Sequence, residues 1–96
     1  VYSGLIHYFK TLDAMGGNPH DGAKVVAKMK ELPTDDPLFG KGTVRADGRK
    51  LHAALLVEVK KPSESTGPWD LYKIRATIPA DQAFRPMAEG GCPLVK

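Results

Sequence analysis

Residues 43–60, with the sequence TVRADGRKLHAALLVEVK, decide the fold. At the centre, Asp47 and Gly48 form a two-residue turn signal, because a type I′ turn needs positive φ at both central positions and these residues tolerate it. Beyond the turn, apolar side chains alternate with others, and one face carries Leu51, Ala53, Leu55, Val57 and Val59. The alternation predicts a half-buried strand, so the stretch is predicted to be a β-hairpin.

Two helices are predicted before the hairpin. Residues 1–15 carry apolar side chains at helical spacing, and glycines end this helix at Gly16 and Gly17; the spacing is set by Tyr2, Leu5, Phe9 and Leu12. A second helix runs to about Leu32, with Asn18 or Asp21 as its N-cap. Pro33 ends it, and the loop over residues 33–42 is expected to insert Phe39 into the core between this helix and the hairpin.

A third strand is predicted over residues 71–79, with Tyr72, Ile74, Ala76 and Ile78 on one face. The long connection before it, residues 60–70, is rich in Pro, Ser and Gly and is expected to be exposed, while its Trp69 is expected to pack against the sheet. Residues 80–87 have room for one or two helical turns, with Phe84 pointing inward. The elements together predict a single α+β unit.

Composition excludes few functions. The chain has 96 residues, 42% of them hydrophobic, and a net charge of +3, which is too weak to indicate nucleic acid. Between Lys41 and Lys61, six basic residues face two acidic ones. Such a hairpin is usually a solvated edge whose charges discourage pairing with other strands. The alternative is a free-standing α+β interaction module whose basic hairpin binds an acidic partner.

No motif indicates catalysis, a metal or a cofactor. His7, His20 and His52 lie on three different elements without ligand spacing, and no local nucleophile motif occurs. Asp35 and Asp36 could bind a cation, although turn acceptors are the commoner role of such a pair. A small hydrolase using a His and Cys92 is the weakest of the three functions. We therefore predict no catalytic or metal residue, and a chain that is not an enzyme.

The chain resembles the C-terminal end of periplasmic substrate-binding proteins of ABC importers, in the branched-chain amino acid and amide/urea-type group with the type I periplasmic-binding fold. The resemblance rests on long strings in order: LPTDDPLFGKG, RADGRKLH, VEVKKPSES-GPWD, ATIPADQAFRP and EGGCPLV, preceded by the helix VYSGLIHYFKTLDA. It covers essentially the whole chain.

The resemblance implies two α/β lobes that close on a small solute like a hinged clamp, a periplasmic location, delivery to a membrane permease, and no cofactor. Residues 1–96 would then be one C-terminal fragment of a protein several times longer, in agreement with the start of the chain at Val1, inside a helical pattern. No ligand-binding residue can be carried over, and Tyr2 is only the nearest candidate to the cleft. Cys92 would be a free thiol here, or would pair with a cysteine upstream of Val1.

The same resemblance implies that the fragment supplies pieces to both lobes. Its apolar faces would therefore be covered by other segments of the whole protein. Alone, the stripe of the first helix and the face from Leu51 to Val59 would lack partners, so the isolated fragment is expected to oligomerise.

Overall fold

The structure is a computed structural model that describes residues 1–93 and residue 95. It contains two helices, α1 (Tyr2–Ala14) and α2 (Gly22–Glu31), and five strands: β1 (Thr34–Asp36), β2 (Gly40–Val44), β3 (Lys50–His52), β4 (Ala54–Val59) and β5 (Tyr72–Ile78). Short 3-10 turns lie at Pro62–Glu64 and Met87–Glu89. No helix in the described part is long and apolar enough to cross a membrane. The predicted α+β class is confirmed.

The helix boundaries follow from local chemistry. Asp21 is the N-cap of α2, since its side chain accepts a hydrogen bond from the Lys24 amide at 3.1 Å. Asn18, the other predicted cap, instead accepts from the His20 amide at 3.0 Å and shapes the preceding turn. Gly16 and Gly17, with φ of 75° and 82°, end the first helical segment as predicted.

The first sheet has the strand order β1-β2-β3 and is antiparallel throughout. Its hairpin pairs Thr43 with Leu51, and Val44 with Lys50. Gly48 has a φ of 83°, but no non-glycine residue in the described chain has positive φ. The predicted type I′ turn is therefore wrong: residues 45–49 form a longer connection, in which Asp47 keeps negative φ and only Gly48 takes the left-handed conformation.

The strand after this turn is divided between two sheets. β3 ends at His52, and after the exposed Ala53 the chain continues as β4, which pairs with β5 instead of β2. The predicted hairpin over residues 43–60 is thus observed only as far as His52. The alternating pattern runs unbroken through the division, which is why the sequence did not reveal it.

β4 and β5 form a two-stranded ribbon with a bulge. Pairing shifts between Leu56 and Val57, so that Leu56 faces Ala76 while Val57 faces Ile74, and Arg75 is the extra residue. The bulge changes the predicted face of β5, because Ile74 and Tyr72 now share a face with Leu55, Val57 and Val59. The opposite face is more polar, and Glu58 there forms an ion pair of 2.6 Å with Arg75.

The chain is therefore arranged in two bodies and a return segment. The helical body contains α1, α2 and the first sheet, residues 2–52, and the ribbon contains residues 54–78. Within the described chain, no helix or strand of the helical body packs against β4 or β5. The strap, residues 79–93, leaves the ribbon and returns to the helical body, where Arg45 Nη1 donates to the Arg85 carbonyl at 3.0 Å.

Helix α1 buries its polar side. Ser3, His7 and Thr11 are buried, and His7 Nε2 lies 2.7 Å from the Met29 carbonyl oxygen, which ties α1 to α2. Its apolar stripe faces outward, with Tyr2, Leu5 and Phe9 53%, 48% and 54% exposed. The absence of partners expected for this stripe and for the strand face is confirmed within the chain.

The described residues form almost no apolar core. Val25 is the one hydrophobic residue among them that is buried. The accessible surface is 7283 Å², whereas a compact monomer of 10.4 kDa exposes about 5,400 Å². The radius of gyration is 17.0 Å, against about 12.5 Å for a compact domain of this length. These dimensions are those of a segment whose apolar faces require further protein.

Two of the sequence predictions about aromatic residues are wrong in this chain. Phe39 does not enter a core, since it is 47% exposed and stacks on His52. Trp69 is 90% exposed and does not pack on the sheet. Phe84 is half-buried and contacts the helical body, in agreement with its predicted inward direction. The prediction of a loop-like tail holds to Pro93, and Leu94 and Lys96 lie outside the described residues.

Gly42 is predicted to be intolerant of any side chain. A Cβ at this position would collide with the Leu51 carbonyl oxygen and lie 2.8 Å from Thr34 Oγ1. We expect Gly42→Ala to lower the free energy of unfolding, measured by urea denaturation, by roughly 1–3 kcal/mol. Gly22→Ala is the control, because its Cβ would meet nothing within 4 Å. Equal stability of the two variants would contradict this packing.

The isolated 96-residue chain is predicted to self-associate, because the stripe of α1 and the apolar ribbon face are exposed. Light scattering at micromolar concentrations should give a mass above 10.4 kDa. Replacing Leu5 and Phe9 by Lys should reduce the association, whereas Asp13→Lys, at an exposed position on the same helix, should not. A stable compact monomer at high micromolar concentration would refute the prediction.

Candidate functional site

A concavity of about 860 Å³ opens between the start of α1, the β2–β3 hairpin and the strap. Ser3 and Gly4 line it from the helix, Lys50 and His52 from the hairpin, and Phe84 and Cys92 from the strap. Its volume lies in the range of small-molecule sites. The wall is built from residues far apart in sequence, so its geometry depends on three networks of contacts.

The first network is a buried carboxylate held by three elements. Asp36 Oδ2 accepts from Ser3 Oγ at 2.5 Å and from Lys50 Nζ at 2.6 Å. Its other oxygen accepts from the amides of Leu38 and Phe39, at 2.9 and 3.0 Å. The hydrogen bonds from Lys50, then from Ser3, hold the pKa of the Asp36 carboxyl well below its usual range. The network joins α1, β1 and β3.

This network does not resemble a catalytic one. Lys50 Nζ also donates to Ser3 Oγ, at 2.5 Å, and its ammonium group faces the Asp36 carboxylate. A lysine in that state has no lone pair with which to accept the serine proton, so Ser3 is not activated as a nucleophile. The arrangement fixes the position of the hairpin relative to α1.

The second network orders the turn of the hairpin. Arg45 donates to both oxygens of Asp47, from Nε at 2.9 Å and from Nη2 at 2.7 Å. This bidentate pair lowers the pKa of Asp47 to about 2 and raises that of Arg45. Because a third nitrogen of Arg45 binds the Arg85 carbonyl, the same side chain also ties the turn to the strap.

The third network is aromatic. Phe39 and His52 stack with ring centroids 4.4 Å apart, and Phe84 meets His52 edge-on at 5.3 Å. Two cations lie over these rings: Lys50 at 5.0 Å from the Phe39 centroid and Arg49 at 5.7 Å from that of Phe84. The cluster joins the strap to the hairpin at the edge of the concavity.

The basic excess of the hairpin region is largely neutralised within the chain. Ion pairs engage Arg45 with Asp47, Lys50 with Asp36, and Lys60 with Asp70. Arg49 faces an aromatic ring. This pairing disfavours the alternative of a basic hairpin that docks on an acidic partner.

The connection between β4 and β5 is braced as well. Lys60 Nζ donates to both oxygens of Asp70 at 2.7 Å, and Thr66 donates to Asp70 through its amide and hydroxyl. These bonds lower the pKa of Asp70 to about 2. Lys73 and Glu64 form a further ion pair. The exposed Trp69 is therefore carried on an ordered loop.

The sequence-predicted candidates have different outcomes. Asp36 is a turn acceptor, as favoured, but its pairing with Lys50 was not foreseen, and Asp35 points elsewhere in an exposed position. No group of His, Cys, Asp and Glu in the described chain could hold a metal ion. Cys92 is a half-buried free thiol at the concavity. Tyr2 lies on the outward stripe of α1.

Sequence reasoning missed Ser3, Lys50 and the contact of His52 with Phe84. Ser3 and Asp36 are 33 residues apart, and Lys50 is 14 residues beyond Asp36. No short motif links residues at such separations. The one available signal was a serine on the polar side of α1, a position that in a surface helix indicates solvent.

The pH dependence of stability should reflect Asp36, Asp47 and Asp70. Their pKa values in the folded chain lie below the ordinary value of 3.8, so their contribution to stability is fully present above about pH 5 and is lost as the pH falls through the folded values. Urea unfolding between pH 6 and pH 2 should show this decrease.

Lys50→Met tests the assignment, because it removes the largest cause of the low pKa of Asp36. We expect this variant to be less stable at neutral pH and to have a flatter pH profile. Lys41→Met, at an exposed position on β2, is the control and should keep the profile of the original chain. Identical profiles for the two variants would contradict the role of Asp36.

Comparisons with known proteins give two solved structures. A periplasmic binding protein from Burkholderia mallei superposes with a TM-score of 0.88 at 46% identity over 99% of this chain. A branched-chain amino acid ABC transporter periplasmic ligand-binding protein from Burkholderia xenovorans gives a TM-score of 0.87 at 39% identity, also over 99%. This chain spans 24% and 25% of their lengths. No protein-family model and no curated protein matches it.

Proposed function

The chain belongs, as a segment, to the periplasmic binding proteins, and on this premise we propose that it is part of a protein that captures a small solute for import by an ABC transporter. The observation that carries the proposal is the identity of 46% and 39% to two such proteins across 99% of the chain. Because the chain spans about a quarter of each, the proposal concerns the longer protein of which it is a part.

A branched-chain amino acid, or a related small amide or organic solute, is the proposed ligand class. The description of the Burkholderia xenovorans protein as a branched-chain amino acid transporter component supports it. The partner that receives the solute would be the membrane permease. Both matched structures are described as periplasmic binding proteins, which agrees with the periplasmic location and with a protein that is not an enzyme.

The division of the chain into two bodies supports a clamp. We propose that the helical body belongs to one lobe and the ribbon to the other, with residues 1–96 as the C-terminal part of the protein. Two stretches cross between the bodies: Ala53, and residues 79–83 at the start of the strap. Hinges in such proteins are a few residues at the ends of elements that absorb changes of φ and ψ, and both stretches fit that description.

The outward apolar surfaces fit the same proposal. Helix α1 has a polar inner side and an apolar outer side, so it requires protein on both sides. In the longer protein, the remaining three-quarters would cover the stripe of Tyr2, Leu5 and Phe9 and the apolar face of the ribbon. This would also supply the core that the 96 residues lack.

Calorimetry of the full-length protein would test the function. We expect one solute among the branched-chain amino acids, short amides, urea and aromatic acids to bind with a dissociation constant in the micromolar range or below, since capture from dilute solution requires about −8 kcal/mol or more. Binding of an unrelated solute alone would make the ligand class wrong but leave the family role. Binding of no solute by a folded protein would overturn the proposed function.

A further inference from the structure

We propose that the contact between His52 and Phe84 sets the relative orientation of the two bodies, and so makes these two side chains positioning residues for the solute clamp. The part of this inference that concerns solute rests on the proposed function. The part that concerns orientation rests only on the geometry of the crossings.

The two crossings have different lengths. The first consists of the exposed Ala53, between the last residue of β3 and the first residue of β4. The second contains residues 79–83, where the amides of Gln82 and Ala83 both donate to the Pro79 carbonyl, at 3.0 and 2.9 Å. The first crossing is therefore a single pivot, and the second is a tight turn that can change shape while both of its ends stay fixed.

The ends of the crossings are joined on each body. On the ribbon, Ala54 pairs with Ile78, so both crossings begin at one strand pair. On the helical body, Phe84 follows the second crossing and meets His52, the residue just before the first crossing, at 5.3 Å in an edge-on arrangement. The result is a closed frame of four sides: two crossings, one strand pair, and one aromatic contact.

The aromatic contact is the adjustable side of this frame. The strand pair is held by backbone hydrogen bonds of the ribbon, and the crossings are covalent. On the remaining side, Phe84 is half-buried, and its partners are side chains, His52 and the guanidinium of Arg49 at 5.7 Å from its ring. His52 is itself fixed by its pairing with Gly42 and by stacking on Phe39.

Loss of the contact has a specific consequence. With the frame closed, both crossings must rotate together, which limits the relative angles that the bodies can adopt. With the frame open, Ala53 acts as the main pivot and the unliganded ensemble becomes broader. A smaller fraction of molecules is then close to the closed form, and the apparent affinity for solute decreases by that fraction.

The experiment uses the full-length protein with Phe84→Ala, Phe84→Tyr and Trp69→Ala. Small-angle scattering without solute measures the distribution of shapes, and calorimetry with leucine as the probe measures affinity. We expect Phe84→Ala to broaden the distribution and to weaken leucine binding threefold or more, while the scattering of its leucine-saturated form matches that of the original protein. Phe84→Tyr retains the ring and should stay within twofold, as should Trp69→Ala, which truncates an exposed aromatic on the distant loop.

The outcomes are separable. Unchanged scattering of folded Phe84→Ala would overturn the inference, whatever the affinity for leucine. Broader scattering with leucine binding unchanged would overturn the positioning role. If the original protein does not bind leucine, the proposed ligand class fails, but the scattering comparison still decides the role of the frame. If Phe84→Ala does not fold, His52→Gln replaces it, since that change removes the same contact from the other side with little change of size.

Discussion

The buried carboxylate of Asp36 is the interaction on which the helical body depends. Its four hydrogen-bond donors come from the start of α1, from β3 and from the turn after β1. In a body with hardly any apolar core, this cluster is what fixes the hairpin against the helix. A buried charge is costly when it is left unpaired, so the geometry of the three elements is constrained together. The walls of the concavity follow from it, because Ser3 and Lys50 line both structures.

The polar interior of α1 has a counterpart outside. Because the inner positions are occupied by Ser3, His7 and Thr11, the apolar side chains of the helix can only be buried by protein on its other side. The ribbon poses the same requirement, since an isolated two-stranded hairpin is marginally stable in water. The bulge at Arg75 gathers the large apolar residues on one ribbon face, which suits packing against a further layer. The segment is thus built as an interior part of a larger assembly of elements.

The same construction accounts for how the segment could act in a clamp. A body fixed by a polar cluster and a ribbon fixed by strand pairing are each internally constrained, while the stretches between them are short and lie at the ends of elements. The aromatic contact at His52 links the two stretches on the helical body. Rigid parts joined at a few residues are what hinge closure requires.

The sequence predicted much of the local structure because local rules set it. Helical spacing located α1 and α2, Asp21 and the glycines marked boundaries, and alternation located the strands. The resemblance of whole strings to periplasmic binding proteins was confirmed by the solved structures, since long ordered strings are far more specific than any spacing of residue types. The bulge, by contrast, leaves no trace in the alternation of β5, and the conformation of Asp47 in the turn was assigned incorrectly for lack of its neighbours.

The sequence by itself therefore determined the elements and the family, because backbone sterics and side-chain periodicity act over a few residues. Only the tertiary structure decided the partners: that the strand after Gly48 divides at Ala53 between two sheets, that Asp36 pairs with Lys50 and Ser3, and that Phe84 returns to His52. These choices depend on contacts between residues 14 to 33 positions apart in the case of Asp36. At such separations, the free energy of a contact depends on how the intervening chain folds, and no local pattern records it.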